Sequence, residues 1–392
     1  MTHHISPLIS SLTPSATFEM ARRSAELAAK GIDVINMSVG EPDFETPEHI
    51  KAAAKRAIDE NYSHYSPVSG YAGLKQAIID KLQRDNGLTY TPDEIIVSNG
   101  AKQSICNAVL ALVGAGDEVI IPAPYWVSYP QMVRLAGATP VFVDGPISQG
   151  HKITPGQLEA AITPRTRLLI LCSPCNPSGA VYSAAELEAL ANVIKAHDGL
   201  TVLSDEIYEH INYTPKHASI ATALKDRTIV VNGVSKAYAM TGWRIGYLAA
   251  PKWIVDACNK LQGQYTSGPS SISQKAAEEA LSGDQTCVNS MREAFKRRRD
   301  LIVKLMREIP GIEVSEPEGA FYLLPKVSAY FKGGIANSTD LALYLLDHAH
   351  VATVAGEAFG APDCLRISYA TDEDRIREAV GRIKEALFLL SK

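Results

Sequence analysis

The sequence predicts an α/β fold. A large domain carries a mainly parallel sheet of the seven-stranded type flanked by helices, and a smaller α+β domain is formed by the N- and C-terminal segments. Three observations carry this expectation. Between about residues 95 and 250, short apolar runs are each followed by a polar loop and a helical pattern. Such repeats imply parallel strands covered by helices on both faces. After about Ser270 the pattern changes to long helical stretches and then short, separated strands. The chain's 392 residues also exceed one small core, which favours a large domain with a smaller companion. The expected boundaries are an arm over 1–14, the first part of the small domain over 15–47, the large domain over 48–285 and the rest of the small domain over 286–392.

Taken in order, residues 1–14 carry Pro7 and Pro14 and read as a mobile arm. Thr17 to Lys30 places Phe18, Ala21, Ala25 and Ala28 on one helical face. Val34 to Met37 is a short strand that runs into the turn-rich SVGEPDFETP, and a helix over about Pro47 to Asp59 follows. Leu74 to Asn86 reads as a helix stopped by Gly87. Strands are expected at 95–97, 118–121, 141–143, 168–172, 201–203, 229–231 and 247–249, with helices after Ala101, within 124–137 and over Ala184 to Ala196. Gln274 to Glu308 reads as one long helical region, and its basic run Lys296-Arg297-Arg298-Arg299 as a solvated face. Short strands at 312–314, 321–324, 351–354 and 365–367 follow. The last helix begins after Thr371, with Asp374 at capping-box spacing and Ile376, Val380, Ile383 and Leu387 as its apolar stripe.

Bulk properties exclude several function classes. Hydrophobic residues make up 46% and charged residues 21%, as in ordinary globular enzymes. A net charge of −5 supplies no basic field for nucleic acid. No apolar run reaches the ~18 residues of a membrane span. The start, MTHHISPLISSLTPSA, lacks a basic stretch followed by an apolar one, so a cytoplasmic protein is expected. The cysteines are scattered, and the Cys172/Cys175 pair has no second pair to complete a zinc set, so no metal is expected.

In a parallel sheet, ligands gather at the carboxyl ends of the strands. After 95–97 comes Ser98-Asn99-Gly100-Ala101-Lys102 at a helix start. That is either a tight turn or an anion cradle whose natural occupant is a phosphate. After 118–121 comes Trp126, either a core ring or a stacking platform. After 168–172 comes Asn176, able to hydrogen-bond a phenolate oxygen, and after 201–203 come Asp205 and Tyr208. A deep aspartate can pair with a protonated pyridine nitrogen.

The stretch Thr228 to Leu248 holds Ser235-Lys236 and, eight residues on, Arg244 beside Trp243 and Ile245. Two cations so deep in apolar surroundings need charged or covalent partners. An aldehyde cofactor carrying a phosphate would satisfy both: Lys236 as a Schiff base, Arg244 as a bidentate phosphate clamp. Competing motifs fail. Gly114-Ala115-Gly116 lacks the third glycine of a dinucleotide fingerprint, and no Walker loop or HExxH occurs.

GEPDF (40–44), SNGAK (98–102), PYWVSYP (124–130), SPCNPSG (173–179), SDEIYEH (204–210), SKAYAMTGWRIGY (235–247) and LRISYA (365–370) together resemble the class I aminotransferases of pyridoxal-phosphate fold type I. The resemblance runs along essentially the whole chain and is strongest to the bacterial and plastid aspartate and prephenate branch. It implies pyridoxal 5'-phosphate as cofactor and a ping-pong reaction through its amino form. It also implies Lys236 as anchor and proton carrier, Asp205 on the pyridine nitrogen, and Tyr208 and Asn176 on the phenolate oxygen. Gly100, Ala101, Ser235 and Arg244 would hold the phosphate beside Lys102, and Trp126 would stack on the ring. Tyr65 would reach the neighbouring subunit's phosphate, so a homodimer is implied. Arg366 would bind the substrate α-carboxylate, with Gly40 and Asn176 nearby.

The resemblance further implies that Ser15, Thr17 and Lys102 bind a second carboxylate. A dicarboxylic substrate follows: aspartate or glutamate, with 2-oxoglutarate or oxaloacetate as acceptor. The same set is compatible with prephenate, although Thr13 stands where many relatives carry lysine before Pro14. An aminotransferase for aromatic or other amino acids, or a lyase on the same fold, is the alternative within the enzyme class. A ligand-sensing regulator would need an added DNA-binding module, for which the short N-terminal arm leaves no room.

Overall fold

Leu168 to Leu171 are at most 1% exposed, as a run buried on both faces of a sheet demands. They sit at the centre of a seven-stranded sheet in the computed structural model, which describes residues 5–390 and 392. The strands, numbered along the chain, begin with β1 (Ile35–Asn36), β2 (Ile95–Ser98), β3 (Glu118–Ala123) and β4 (Thr139–Asp144). Next come β5 (Thr166–Cys172), β6 (Thr201–Asp205), β7 (Thr228–Gly233) and β8 (Gly246–Ala249). The short strands β9 (Tyr322–Leu323), β10 (Val351–Ala352), β11 (Val354–Ala355) and β12 (Leu365–Ser368) complete the set.

The large sheet has the order β2-β8-β7-β6-β5-β3-β4. Only β8 runs antiparallel to its neighbours, β7 and β2. The carboxyl ends of β2, β3, β5, β6 and β7 therefore lie along one edge. Each loop that the sequence marked as chemical leaves from that edge.

A second region is built from both ends of the chain. β1 pairs in parallel with β10, and Ser368 N donates to Met37 O at 2.8 Å. β9, β12 and β11 form a three-stranded antiparallel sheet. Met20, Ile35 and Met37 share a core with Phe295, Ile302, Leu365 and Ile376. Ile207 and Tyr208, from the loop after β6, reach into the same core, so the large sheet and this region meet at the site.

Several local expectations change. The helical region after Ser270 is two helices, Ser271–Ser282 and Thr286–Arg307. Gly283 interrupts it, and the Asp284 carboxylate accepts from Thr286 N at 3.0 Å to start the second helix. The basic run is not a uniformly solvated face. Lys296 and Arg297 are exposed, whereas Arg298 and Arg299 are buried. Arg299 donates to Pro317 O at 2.6 Å and stacks on Tyr213, and Arg298 pairs with Asp43. The final helix, Glu373–Leu390, is capped by Asp372, which accepts from Arg375 N at 2.8 Å, not by Thr371. Residues 312–314 contribute only a single bridge, Glu313 to Lys326. The helices Pro155–Ala161 and Lys252–Tyr265 were not anticipated. In the expected arm, residues 1–4 lie outside the described residues and Pro7–Ser10 forms one helical turn.

Candidate active site

The carboxyl edge of the sheet, the segment 15–21 and the loop 39–41 enclose a cavity of about 710 Å³. Of the residues marked in the sequence, Ser15, Thr17, Gly40, Ala101, Lys102, Trp126, Asn176, Asp205, Tyr208, Ser235, Lys236, Arg244 and Arg366 line it. Gly100 lies just behind: a Cβ there would come within 2.4 Å of Arg244 Nη2. Tyr65 is elsewhere. It is 99% exposed, beside a separate surface hollow formed by 62–66 and 268–272.

Lys236 follows β7 by three residues, and its Nζ donates to Gly40 O at 2.6 Å. Burial pushes its amine down to about 8; Arg366 and Arg244 act in the same sense, against Glu41 and Asp205. The amine is therefore partly neutral near physiological pH, as a nucleophile or base requires.

Asp205 is the last residue of β6, paired in register with Cys172 and Val231. It is buried, and Tyr129 Oη donates to its Oδ2 at 2.6 Å while Ile207 N donates to Oδ1 at 3.3 Å. Burial raises its carboxyl to about 6 despite these donors. A cation placed against it would restore the carboxylate, so the residue is suited to a protonated ring nitrogen.

The anion end lies where the helix Ala101–Leu112 begins, with Gly100 at φ 82° as its N-cap. First-turn N–H groups have no acceptor within the helix and carry its positive dipole end. Arg244 was expected deep in apolar surroundings, but it is exposed. Its Nη1 donates to Thr241 O at 3.0 Å and its Nη2 to Asn99 O at 3.2 Å. Its backbone is left-handed, at φ 58°. A long side chain rarely adopts that conformation, and such strain marks functional loops.

The opposite end is organised by Arg366, on β12 and only 2% exposed. Its Nη1 donates to Asn176 Oδ1 at 3.1 Å, and its Nη2 donates to Ser38 O. Its buried Nε has no hydrogen-bond partner among the described residues. Burial lowers its pKa. The rings of Tyr322 and Phe359 lie 4.7 and 4.8 Å from the guanidinium carbon. At the mouth, Lys102 Nζ sits 4.9 Å from the Trp126 ring and 5.7 Å from Phe18, with its pKa lowered by burial and then by Arg244.

Sequence reasoning missed Tyr129, Tyr322, Phe359 and Glu41. Tyr129 had a signal, since it follows Trp126 by three residues at the start of the helix Ser128–Leu135 and so faces the same way. Glu41 also had one, as the residue after Gly40 in GEPDF, and it is held by Thr241; Tyr322 and Phe359 depend on the C-terminal region folding over the sheet.

The aminotransferase class I and II family profile matches residues 32–383. A bifunctional aspartate aminotransferase and glutamate/aspartate-prephenate aminotransferase of Petunia hybrida is 51% identical over 395 residues, covering 98% of this chain and 82% of its own length. An aspartate/prephenate aminotransferase of Cereibacter sphaeroides is 50% identical over 392 residues, covering 97% and 98%. Among solved structures, the aspartate aminotransferase of Thermus thermophilus with maleate superposes with a TM-score of 0.94 at 41% identity, over 98% of this chain and 100% of that one. That of Rhizobium meliloti superposes with a TM-score of 0.93 at 46% identity, over 99% of each chain. The profile spans all of the strands that build the cavity, and the relatives match along almost the whole chain, so this chain belongs to the class I and II aminotransferases.

Proposed function

We propose that the chain is a pyridoxal 5'-phosphate-dependent aminotransferase. Its substrates are L-aspartate and L-glutamate, with 2-oxoglutarate and oxaloacetate as acceptors and prephenate as a further acceptor. One observation carries the reading. Arg366 is a buried guanidinium with an unpartnered Nε, in the same cavity as a lysine whose amine is shifted to about 8. An unpaired buried donor is costly until a carboxylate arrives.

The side chains fit the cofactor. Lys236 is its covalent anchor, and Asp205, oriented by Tyr129, faces its ring nitrogen. Tyr208 and Asn176 donate to its phenolate oxygen and Trp126 stacks on the ring. Ser235, Arg244 and the backbone of Gly100 and Ala101 hold its phosphate, beside Lys102. Once bound, the cofactor supplies an electron sink for charge developing at the substrate α-carbon. Arg366 fixes the α-carboxylate against Asn176, below Gly40. Ser15, Thr17 and Lys102 take the second carboxylate at the mouth. Lys236, as a free amine, would then take the proton from the substrate α-carbon and deliver it to the cofactor's C4′.

A second copy of the chain completes the site in this reading. Tyr65 is almost wholly exposed beside a hollow, and in a homodimer it would reach the partner's phosphate. Among the described residues no helix is long and apolar enough to cross a membrane, and the cysteines are free thiols, which supports a reducing cytoplasm.

The loaded protein is expected to be yellow and to bleach on adding aspartate, and Lys236→Ala to lose both properties. Arg366→Leu is expected to lower kcat/KM for aspartate by roughly two to three orders of magnitude. Parallel kinetics with aspartate, glutamate, phenylalanine and prephenate test the substrate class. A dominant rate on phenylalanine overturns the role of Ser15, Thr17 and Lys102, and product analysis without a 2-oxo acid favours a lyase. A fully active monomer in sedimentation overturns the shared site.

A further inference from the structure

Tyr322 belongs to β9, in the sheet made by the C-terminal part of the chain, whereas Tyr208 follows β6 of the large sheet. Their hydroxyl oxygens are 2.7 Å apart and their rings meet edge to face with centroids 5.7 Å apart. Both residues are buried and both line the cavity. The Tyr322 ring also lies against the Arg366 guanidinium. Its hydroxyl fills the space beside Gly40, where a Cβ would come within 2.1 Å of Tyr322 Oη. One side chain therefore touches the phenol, the arginine and the loop that accepts from Lys236.

We propose that Tyr322 is a positioning residue that couples the cofactor end of the site to the substrate end: its hydroxyl donates to Tyr208, and its ring face holds Arg366. The proposal rests on the aminotransferase reading above. Two phenols that share one hydrogen bond have two proton arrangements. An anionic oxygen beside Tyr208 selects one of them. Tyr208 donates its O–H in a hydrogen bond to the anion, and its own oxygen accepts from Tyr322, the hydrogen-bond partner the fold provides. A donor that is itself donated to is a stronger donor, because hydrogen bonds in a chain polarise one another. On its other side, Tyr322 and Phe359 both face the Arg366 guanidinium, and such ring contacts stabilise and confine a desolvated cation.

The two roles separate by substitution. Tyr322→Phe removes the hydroxyl and keeps the ring, whereas Tyr322→Leu removes both. The readout is the pH midpoint of the visible absorption of the protein loaded with pyridoxal phosphate. With pyridoxal phosphate bound, Tyr208 would donate to its ring oxygen, in competition with a proton held on the nitrogen of Lys236. Weaker donation from Tyr208 leaves that nitrogen better satisfied, so the midpoint rises. For Tyr322→Phe a rise of roughly half to one pH unit is expected, with KM for aspartate within about twofold of wild type because the ring remains. For Tyr322→Leu the KM is expected to rise roughly tenfold. In a Tyr208→Phe background, Tyr322→Phe is expected to add no further shift.

A midpoint unchanged in Tyr322→Phe overturns the proposal, as does a shift of equal size in the Tyr208→Phe background. If Tyr322→Leu fails to fold, the Tyr322→Phe single and double variants still decide it. A wild-type protein that takes up no pyridoxal phosphate overturns the parent reading. A normal wild-type titration with an unmoved Tyr322→Phe overturns the role of Tyr322 alone.

Discussion

Arg298 clasps Asp43 through two parallel hydrogen bonds of 2.7 and 2.9 Å. Its guanidinium carbon lies 4.9 Å from the Phe44 ring and 5.5 Å from that of Phe295. The pair fastens the helix Thr286–Arg307 to the loop that presents Gly40 and Glu41 to the cavity. The same loop is held by Arg366 at Ser38 O, by Lys236 at Gly40 O and by Thr241 at Glu41. Site geometry thus depends on a residue outside the cavity.

Arg298→Lys keeps the charge and loses the fork, which an ammonium cannot reproduce. Stability is expected to fall by about 1–3 kcal/mol in urea unfolding. KM for aspartate is expected to rise more than kcat falls, because Ser38 and Gly40 shift relative to Arg366. Unchanged kinetics in a destabilised variant would confine the pair to a structural role.

Asp205 makes the ligand-free protein pH-sensitive. Its folded pKa of about 6 lies above the ~3.9 of an unfolded chain. The folded form therefore holds the proton more tightly. Its contribution to stability is full below about pH 4 and is lost as pH rises through 6. Relative to Asp205→Asn, the ligand-free wild type is expected to lose on the order of 2 kcal/mol between pH 4 and pH 6.5. Urea midpoints of the two proteins across this range check it, and parallel curves would contradict it. Saturating pyridoxal phosphate is expected to abolish the trend, because a cation then pairs with the carboxylate.

Lys81 and Glu209 form an ion pair with side chains 1% and 3% exposed. Asn86 bridges them, accepting from Lys81 and donating to Glu209, each at 2.8 Å. Burial works to raise the Glu209 carboxyl, but Lys81 and the neighbouring imidazoles hold it well below its ordinary value. Lys81→Met strands that carboxylate, so a loss of about 3–5 kcal/mol is expected in chemical denaturation. Glu209 adjoins Tyr208, and cofactor affinity is expected to weaken as well. The double variant Lys81→Met/Glu209→Leu is expected to recover most of the stability, since an apolar pair can replace a buried ionic one.

Much of the fold was legible because its signals are local. The run at 168–172 is apolar throughout, which a strand covered on both faces requires. Gly87 stops its helix in a left-handed conformation, at φ 68°. Arg298 and Arg299 were misread for the opposite reason. A run of four cations looks solvated, and only the partners Asp43, Pro317 and Tyr213, distant in sequence, make two of them buried. Arg244 was misread in the other direction: its apolar neighbours in sequence suggested depth, yet a left-handed turn brings it to the surface of the cavity.

The sequence by itself determined the strand-end chemistry. The loops after β2, β3, β5, β6 and β7 must share one edge when the strands run in the same sense, so Gly100, Trp126, Asn176, Asp205 and Lys236 were brought together by periodicity alone. Only the tertiary structure decided what surrounds them. The Tyr322–Tyr208 contact and the clasp of Arg298 on Asp43 join segments more than a hundred residues apart, and Tyr322 stacks on Arg366 from another strand. Hydrophobic period and turn chemistry carry no information across such distances, because those contacts arise from the packing of one region on another.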